Sequence, residues 1–440
     1  MDDDPKPFHV CQNPQRDRHV VASNLRERAN PRRRWPSFEF SDQGRDVAQI
    51  GTDAIEPPLP GRRLKCLLHL TPPRRADAPP RRRTHDHPIV WPIASRLREQ
   101  IKNTRGVVSS EITVVLTGCP AEMIGDDVEA MAQEARDAGD EVLDLATAGF
   151  RGSAYHGYQS FLQAAVERTV APGVTRAGLV NILGPVPHQD ATWLAEIEEL
   201  SRLIAGVGLI PNPIFGPFGG LSSLRATAQA ELSVSLSPWG GAAVRALDDR
   251  FGIPWIESAG LPVGAAATGA LLERIVAAAG EVDDAAARIF IDRERQREAY
   301  FIDRLLETLY RQGGARSFAV ALPSLHAGGI VRFLSHTLGW SPAAIIVTDN
   351  PPAEHRSTLE DELPLVHYSE DDDEIATLIG SSGAEIVFGS SLERAVADRL
   401  AVPLIECAAP TRRLSLTSGF GGSRGGLKLL EAIVTASDQA

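Results

Sequence analysis

Short apolar runs that end at glycine or proline and lead into helical patterns recur along this chain from residue 112 onward. The runs at 112–116, 178–183 and 318–322 consist almost entirely of aliphatic residues, which is typical of parallel strands covered on both faces. Helical patterns separate these runs from one another. An alternation of strands and helices predicts parallel sheets flanked by helices. The sequence therefore predicts an α/β fold.

The pattern divides into three Rossmann-like units, at 96–175, 176–300 and 301–440. A charge-rich helix is predicted over 283–310 and is interpreted as a solvated connector. Residues 1–95 differ from the rest. They hold 15 arginines and 14 of the 31 prolines, with little periodic apolar pattern outside 64–70, so we expect poor order there and a first unit that is degraded or divergent at its amino end. This segment is either a basic arm or a divergent or misread beginning.

Composition narrows the classes of function. A chain of 440 residues with 43% hydrophobic residues has room for several cores. Its net charge of −12 argues against general binding to nucleic acid or membrane surfaces. Four separated cysteines make no disulfide framework, and no apolar run approaches the roughly 18 residues of a membrane span. We expect a cytoplasmic protein.

The stretch at 117–128, Thr-Gly-Cys-Pro-Ala-Glu-Met-Ile-Gly-Asp-Asp-Val, follows the predicted strand 112–116 directly. It places Cys119 at the carboxyl end of a strand, where open α/β sheets bind their ligands. Asp126 or Asp127 is predicted to cap the following helix. An isolated cysteine is also compatible with a buried, inert thiol, and the local pattern leaves both interpretations open.

Three ordered segments resemble the component 1 family of nitrogenases and nitrogenase-like reductases, in the form that its β-type subunits carry. The first is Cys-x-Ala-Glu-x-Ile-Gly-Asp-Asp from Cys119, and the second is Gly-Phe-Arg-Gly-Ser from Gly149, followed by Gly157-Tyr158. The third is the ending Gly-Phe-Gly-Gly-Ser-Arg-Gly-Gly from Gly419. Together the matches span about 105–435.

The resemblance implies an oxidoreductase subunit that shares a P-type iron–sulfur cluster, [8Fe-7S] or [4Fe-4S], with a homologous α-type subunit. It implies Cys119 and Ser153 as the metal-site residues, with Ser153 beside the cluster that Cys119 ligates, while Cys66, in Lys-Cys-Leu-Leu, is a faint echo of a further ligand. The implied assembly is an α2β2 heterotetramer that receives electrons from an ATP-dependent iron protein. The implied role is electron relay, and substrate reduction would occur mainly in the α-type subunit.

The amino-terminal part departs from the family pattern. There β-type subunits carry two further cluster cysteines, whereas here the upstream thiols are Cys11 and Cys66, both in other settings. Because iron–sulfur clusters need several thiolates, one cysteine and one serine do not complete a subunit's share. Other interpretations are a reductase acting on methylthio-alkanes or tetrapyrroles instead of dinitrogen, a non-catalytic scaffold for cofactor assembly, and a non-functional relic.

Three further residues have two interpretations each. His156 is either a cluster neighbour and proton donor or a loop histidine that bonds the backbone. His326 follows a strand at a position suited to ligand binding, but a structural loop histidine is the simpler interpretation. Cys407 follows a core strand, and its position favours a buried thiol.

Overall fold

We describe the protein from a computed structural model. Most of the segment 1–95, including Cys11, lies outside the described residues. The expectation of poor order in this segment concerns those residues and stays a prediction. The structure describes the backbone of 65–68, residues 97–98 and 101–102, and residues 111–437 except 217–218, 281, 312–313, 315, 364 and 413–416.

The first sheet is parallel and has the order β1-β2-β3. All four residues of β2 are buried, as the continuous apolar run predicts. β1 lies within the segment 1–95 and pairs in register with β2, so the sheet extends upstream of residue 96. The elements are β1 (Lys65–Leu68), β2 (Thr113–Leu116), α1 (Cys119–Ile124), α2 (Val128–Asp137), β3 (Val142–Leu145) and α3 (Ala154–Arg168).

The second sheet is parallel and has the order β5-β4-β6-β7. The sequence analysis missed β5, whose Ile-Pro-Asn-Pro sequence lacks a strand pattern. Proline is tolerated there because β5 is an edge strand. The elements are β4 (Leu179–Leu183), α4 (Trp193–Gly206), β5 (Ile210–Pro213), α5 (Leu221–Ala226), β6 (Leu232–Ser235), α6 (Gly241–Phe251), β7 (Trp255–Glu257), α7 (Gly264–Ala278) and α8 (Asp284–Arg311).

The third sheet is parallel and has the order β10-β9-β8-β11-β12. The chain moves outward from the central β8 to one edge and then returns to the other side, which creates a crevice at the carboxyl ends of the strands. The elements are β8 (Ser317–Leu322), α9 (Ser324–Arg332), β9 (Ser341–Val347), α10 (Ser357–Glu362), β10 (Val366–Tyr368), α11 (Asp372–Ser381), β11 (Ile386–Gly389), α12 (Arg394–Leu400), β12 (Leu404–Glu406) and α13 (Gly422–Ser437).

This architecture confirms the predicted α/β class with parallel sheets flanked by helices. None of the helices in the described part of the chain combines the length and the apolar character that a bilayer span requires. Two details differ from the predictions. His326 lies in the first turn of helix α9 and not in a loop, because helix formation begins directly after Pro323. Helix α8 is exposed over most of its length, as predicted for a solvated connector, but its Ala287, Ile291 and Glu298 are buried, so one face also packs on the rest of the chain.

A buried carboxylate attaches the carboxyl-terminal helix α13 to the second unit. Glu196 of α4 is fully buried, and its two oxygens accept hydrogen bonds from the backbone amides of Phe420 (2.8 Å) and Gly421 (2.7 Å). A Cβ atom at Gly419 or at Gly421 would collide with this carboxylate. Packing against Glu196 therefore requires the glycines of the third family-like segment.

The Glu196→Gln variant tests this attachment. An amide group keeps the volume of the side chain but presents N–H to one of the two backbone amides that now donate to the carboxylate. We expect the free energy of unfolding to fall by about 2–4 kcal/mol.

The control is Glu198→Gln, two residues along the same helix at an exposed position. It should change the free energy of unfolding by less than about 0.5 kcal/mol. Chemical denaturation of the two variants side by side gives the comparison, and equal losses would contradict a special role for Glu196.

Candidate functional site

Cys119 is the first residue of α1, directly after the turn that ends β2. The sequence analysis predicted a strand-to-helix turn with one helix from residue 128. The structure inserts the short helix α1, which Gly125 ends in the left-handed conformation at φ 79°. Asp127 then caps α2 by accepting the amide of Ala130 at 3.0 Å, as predicted. The Cys119 side chain is half-buried, so the thiol is not enclosed in the core.

Glu122 ties α1 to the loop after β3. Its carboxylate accepts the backbone amide of Ala148 at 3.1 Å and contacts the Thr117 hydroxyl and the Arg151 guanidinium. Burial raises the pKa of Glu122, but the hydrogen bonds from Thr117, Arg151 and Ala148 outweigh burial and bring its pKa below the usual value. The carboxylate therefore stays ionised and holds the two family-like segments together.

A second pair of contacts joins the same loops. The Thr147 amide donates to the Thr117 hydroxyl at 3.0 Å, and the Thr147 hydroxyl donates to the Thr117 carbonyl at 3.1 Å. Both threonines are buried. The loop carrying Cys119 and the loop leading to Ser153 are thus fixed against each other, and the structure brings these two predicted site residues to one edge of the first sheet.

Ser153 is the N-cap residue of α3, and its side chain makes no capping hydrogen bond. His156 lies within α3 and is not the loop histidine of the sequence analysis, since the helix begins at Ala154. Burial, followed by the charge of Arg151, lowers the pKa of His156, so its imidazole is neutral at neutral pH. Tyr158 of the same helix is buried and accepts the Gly184 amide at 3.1 Å.

A cleft of about 520 Å³ opens beside this edge. Residues that follow strands of all three sheets line it. The first sheet contributes the loop 149–153 and His156, the second contributes Trp239 after β6, and the third contributes Asn350, Pro352 and Glu370 after β9 and β10. Its volume lies within the range of small-molecule sites. Asn350 adopts a left-handed backbone at φ 43°, and its side-chain oxygen accepts a hydrogen bond from Arg356 at 2.7 Å.

Behind the cleft lies a cluster of buried polar residues that we call the junction cluster: Asp190, Glu196, His326 and Asp349. His326 Nε2 lies 3.8 Å from Glu196 Oε1 and 3.4 Å from the Thr192 hydroxyl. Burial lowers the pKa of His326, but Glu196, Asp190 and Asp349 outweigh it and the pKa is raised. This result supports a structural role for His326, with the imidazole as a charge partner for the carboxylates.

Two aromatic residues connect the junction cluster to the cleft. Tyr155 donates to Asp190 at 3.2 Å and stacks on Trp239, with ring centroids 5.6 Å apart. The Trp239 indole donates to Asp349 at 2.7 Å while also lining the cleft. Burial raises the pKa of Asp349 and raises that of Asp190 to about 7.

The remaining predicted thiols lie elsewhere. Cys407 is 1% exposed in the core of the third sheet, as predicted. Cys66 pairs with Val114 inside β1, whereas Cys119 lies three residues beyond the end of β2. No group of three or more histidine, cysteine or acidic residues suited to a metal ion occurs among the described residues. Among the described cysteines, Cys119 is therefore the one that lies at the carboxyl edge of the first sheet.

Large apolar side chains are exposed on helix α1, which begins at Cys119, and on the loop after β3. Met123, Ile124 and Phe150 are 78%, 60% and 60% exposed. Exposed apolar groups that cluster in this way mark interaction surfaces. We call these three residues the apolar rim.

The sequence analysis missed Asp190, Glu196, Asp349 and Trp239. No local motif marks them, because each belongs to a different helix or loop and they meet only through the tertiary fold. The sequence carries only a weak signal, which is that Asp349 closely follows the apolar run at 344–347.

Comparisons with known proteins show which family and fold the chain resembles. A family model described as nitrogenase component 1 type oxidoreductase matches residues 87–437. A subunit of the light-independent protochlorophyllide reductase of Methylobacterium radiotolerans is 25% identical over 350 residues, which cover 75% of this chain and 63% of that protein. The nitrogenase molybdenum-iron protein beta chain of Clostridium pasteurianum is 22% identical over 206 residues, covering 42% of this chain and 45% of that one.

The chain spans about three fifths of the length of the protochlorophyllide reductase subunits it matches. Among solved structures, that of nitrogenase Cp1 at pH 6.5 superimposes with a TM-score of 0.66 and 19% identity, covering 80% of each chain. At this level of identity the likeness concerns the fold alone.

The raised pKa of Asp190 predicts how stability depends on pH. The folded-state pKa of about 7 exceeds the ordinary aspartate value of 3.8, so the folded protein binds more protons than the unfolded chain between these values. The contribution of this group to stability therefore falls as the pH rises. As the pH rises from about 4.5 to about 6.5, the free energy of unfolding of the wild type should fall by about 1 kcal/mol per pH unit relative to that of Asp190→Asn.

Denaturation at several pH values measures this difference. Asp249→Asn, at an exposed position, is the control and should keep the wild-type dependence on pH. If the free energies of unfolding of wild type and Asp190→Asn change in parallel with pH, Asp190 does not titrate in this range.

Proposed function

The chain belongs to the nitrogenase component 1 type oxidoreductase family, and from that membership we propose that it is a β-type subunit of a nitrogenase-like two-component reductase. In this proposal it helps to hold a P-type iron–sulfur cluster at the interface with an α-type subunit. It relays electrons from an ATP-dependent iron protein towards the active site of that subunit. The units proposed for this task are 96–175, 176–300 and 301–440.

The observation that carries the proposal is the placement of Cys119. Cys119 is half-buried and begins α1 at the edge of the first sheet. The Glu122 contacts tie α1 to the loop that leads to Ser153. Rigid contacts of this kind fix the orientation of a ligand. The apolar rim, on the helix that begins at Cys119 and on the neighbouring loop, supports an interface at this edge, where a partner would exclude water.

The residues present fit part of a cluster site. A cluster needs several thiolates, and the described part of the chain offers one at this edge. The proposal therefore assigns one ligand to Cys119, a neighbouring position to Ser153 and the remaining ligands to the α-type partner, with Cys66 as a further candidate. When bound, such a cluster stores and passes single electrons. This chain's residues hold and orient one ligand and shield the site.

The named relatives bear on the substrate of the complete enzyme. Relatives named as subunits of light-independent protochlorophyllide reductase favour a tetrapyrrole over dinitrogen as the substrate of the complete enzyme. The nitrogenase beta chain matches a smaller part of this chain. Assays of the assembled enzyme with protochlorophyllide and with dinitrogen distinguish the two.

The Cys119→Ala variant tests the cluster proposal. The chain is co-purified without oxygen with its α-type partner, and iron and acid-labile sulfide are measured together with electron paramagnetic resonance spectra. Because Cys119 is the proposed ligand, the iron content should fall to a small fraction of the wild-type value.

Cys407→Ala is the matched control, since it removes a thiol from the core and should retain the iron. Cys66→Ala decides whether the second candidate contributes. Wild-type iron content in Cys119→Ala, or no iron in any of the proteins, would refute the cluster proposal.

The Ile124→Glu variant tests the interface. A carboxylate within an apolar contact must lose its hydration, so the affinity for the α-type partner should fall on the order of 100-fold. Ile289→Glu is the control, because Ile289 is similarly exposed (54%) but lies on α8. Equal affinities of the two variants in a pull-down titration would exclude the apolar rim from the interface.

A further inference from the structure

Glu298 is a buried glutamate of α8 at the point where α7, α8 and α13 meet. The residue is 7% exposed. One oxygen, Oε2, accepts the backbone amide of Ala265, the second residue of α7, at 2.7 Å. The other oxygen, Oε1, is buried and has no hydrogen-bond partner in the part of the chain that the structure describes. A buried carboxyl group with a single hydrogen bond is more stable in its neutral form than as an anion.

The unpaired oxygen lies where α13 docks. A Cβ atom at Gly426 of α13 would lie 2.6 Å from Glu298 Oε1 and 2.7 Å from the Cα atom of Gly264. A Cβ atom at Gly264 would lie 3.2 Å from the same oxygen. At the start of α13, the Gly422 amide donates to the Pro262 carbonyl at 2.6 Å. The backbone of α13 therefore packs close to the carboxyl group of Glu298.

A second carboxylate lies one turn earlier on α8. Glu294 accepts hydrogen bonds from Arg202 at 2.8 and 2.9 Å and from the hydroxyl of Ser423 on α13. Burial raises the pKa of Glu294, but the hydrogen bonds from Arg202 and Ser423 outweigh burial and the pKa is lowered. Glu294 is therefore ionised at neutral pH and places a negative charge beside Glu298. The Arg202 guanidinium is committed to Glu294 and to Glu199.

Burial raises the pKa of Glu298 to about 7. The Ala265 amide and the charge of Arg297 act against this rise, while the charge of Glu294 adds to it. The apolar ring of Phe333 packs at the start of α7 and brings no charge. Glu298 therefore differs from Glu294, since its surroundings do not stabilise an anion.

In the described part of the chain, the two helices packed against this carboxyl group bring no countercharge to it. The charged residues of α7 begin at Glu273, more than two turns beyond Ala265. On α13, Arg424 and Lys428 lie two positions before and two positions after Gly426. Two positions correspond to about 200° around a helix, so both cations lie on the side opposite to Gly426.

Separation of α13 from α7 and α8 would expose the Glu298 carboxyl group to water, where its ordinary pKa is 4.5. Between pH 4.5 and about 7 the docked state then binds more protons than the open state. Docking therefore weakens as the pH rises through this range and changes little above it.

We propose that Glu298 is a pH-sensitive latch for α13, which holds the helix in place when its carboxyl group carries a proton and favours release when it is ionised. The turn just before α13 also binds Glu196, through the amides of Phe420 and Gly421. The latch thereby controls how firmly the third unit is joined to the second. It consists of contacts within this chain and needs no cluster, so it is tested on the full-length chain alone.

Hydrogen exchange of the α13 amides, measured from pH 5 to pH 8, tests the latch. After correction for the intrinsic exchange rate, protection in wild type should fall about tenfold per pH unit between about pH 5 and pH 6.5 and level off above about pH 7.5. Glu298→Gln keeps the size of the side chain and an acceptor for Ala265 but cannot ionise, so this fall should disappear. Asp303→Asn, at an exposed position of α8, is the control and should follow wild type.

Glu298→Met is a second neutral variant of similar length, and it should also lack the fall. Asp190 titrates in the same range, but it is present in wild type and in both variants, so the difference between them belongs to Glu298. Constant protection of wild-type α13 between pH 5 and pH 7.5 would overturn the proposal. An equal fall in wild type and in the neutral variants would overturn it as well.

Discussion

The contacts of the Glu196 carboxylate determine how the second and third units meet. This buried group accepts hydrogen bonds from Thr192, Phe420 and Gly421, and the His326 imidazole lies nearby. A buried carboxylate is tolerated only when such donors surround it. One side chain of α4 thereby connects the amino-terminal end of α9 to the turn that begins α13. The cleft depends on this connection, because its walls come from all three sheets.

The junction cluster also explains why charged groups can lie so close to the cleft. Asp349 receives the Trp239 indole together with the amide and hydroxyl of Ser324. Asp190 receives the Val186 amide and the Tyr155 hydroxyl. These bonds hold both aromatic rings in place at the wall of the cleft. The polar interior thus gives rigidity to a surface that apolar packing alone would leave less specified.

The local sequence pattern predicted the buried central strands, because each is a continuous apolar run. The central strands β2, β4 and β8 are buried on both faces, and their apolar runs showed them directly. The edge strand β5 and the short edge strand β10 were missed, since half-exposed strands need less apolar sequence. The family-like segments located Cys119 and Ser153 at one edge, but no local signal gave the junction cluster. Its members are brought together by long-range packing, since His326 lies beside Glu196 although 130 positions separate them in the sequence.

The glycines of the third family-like segment are explained by the packing of helix α13. Gly425 packs on the backbone of Phe420, and Gly426 packs on the backbone of Gly264, so side chains at these positions would collide with main-chain atoms. These glycines therefore serve the docking of α13 and need no ligand to explain them. Cys119 differs from these glycines, because its half-buried side chain lies at the first residue of α1 and is not enclosed in the core. The contacts of Glu122 fix its position, because they tie α1 to the loop that leads to Ser153.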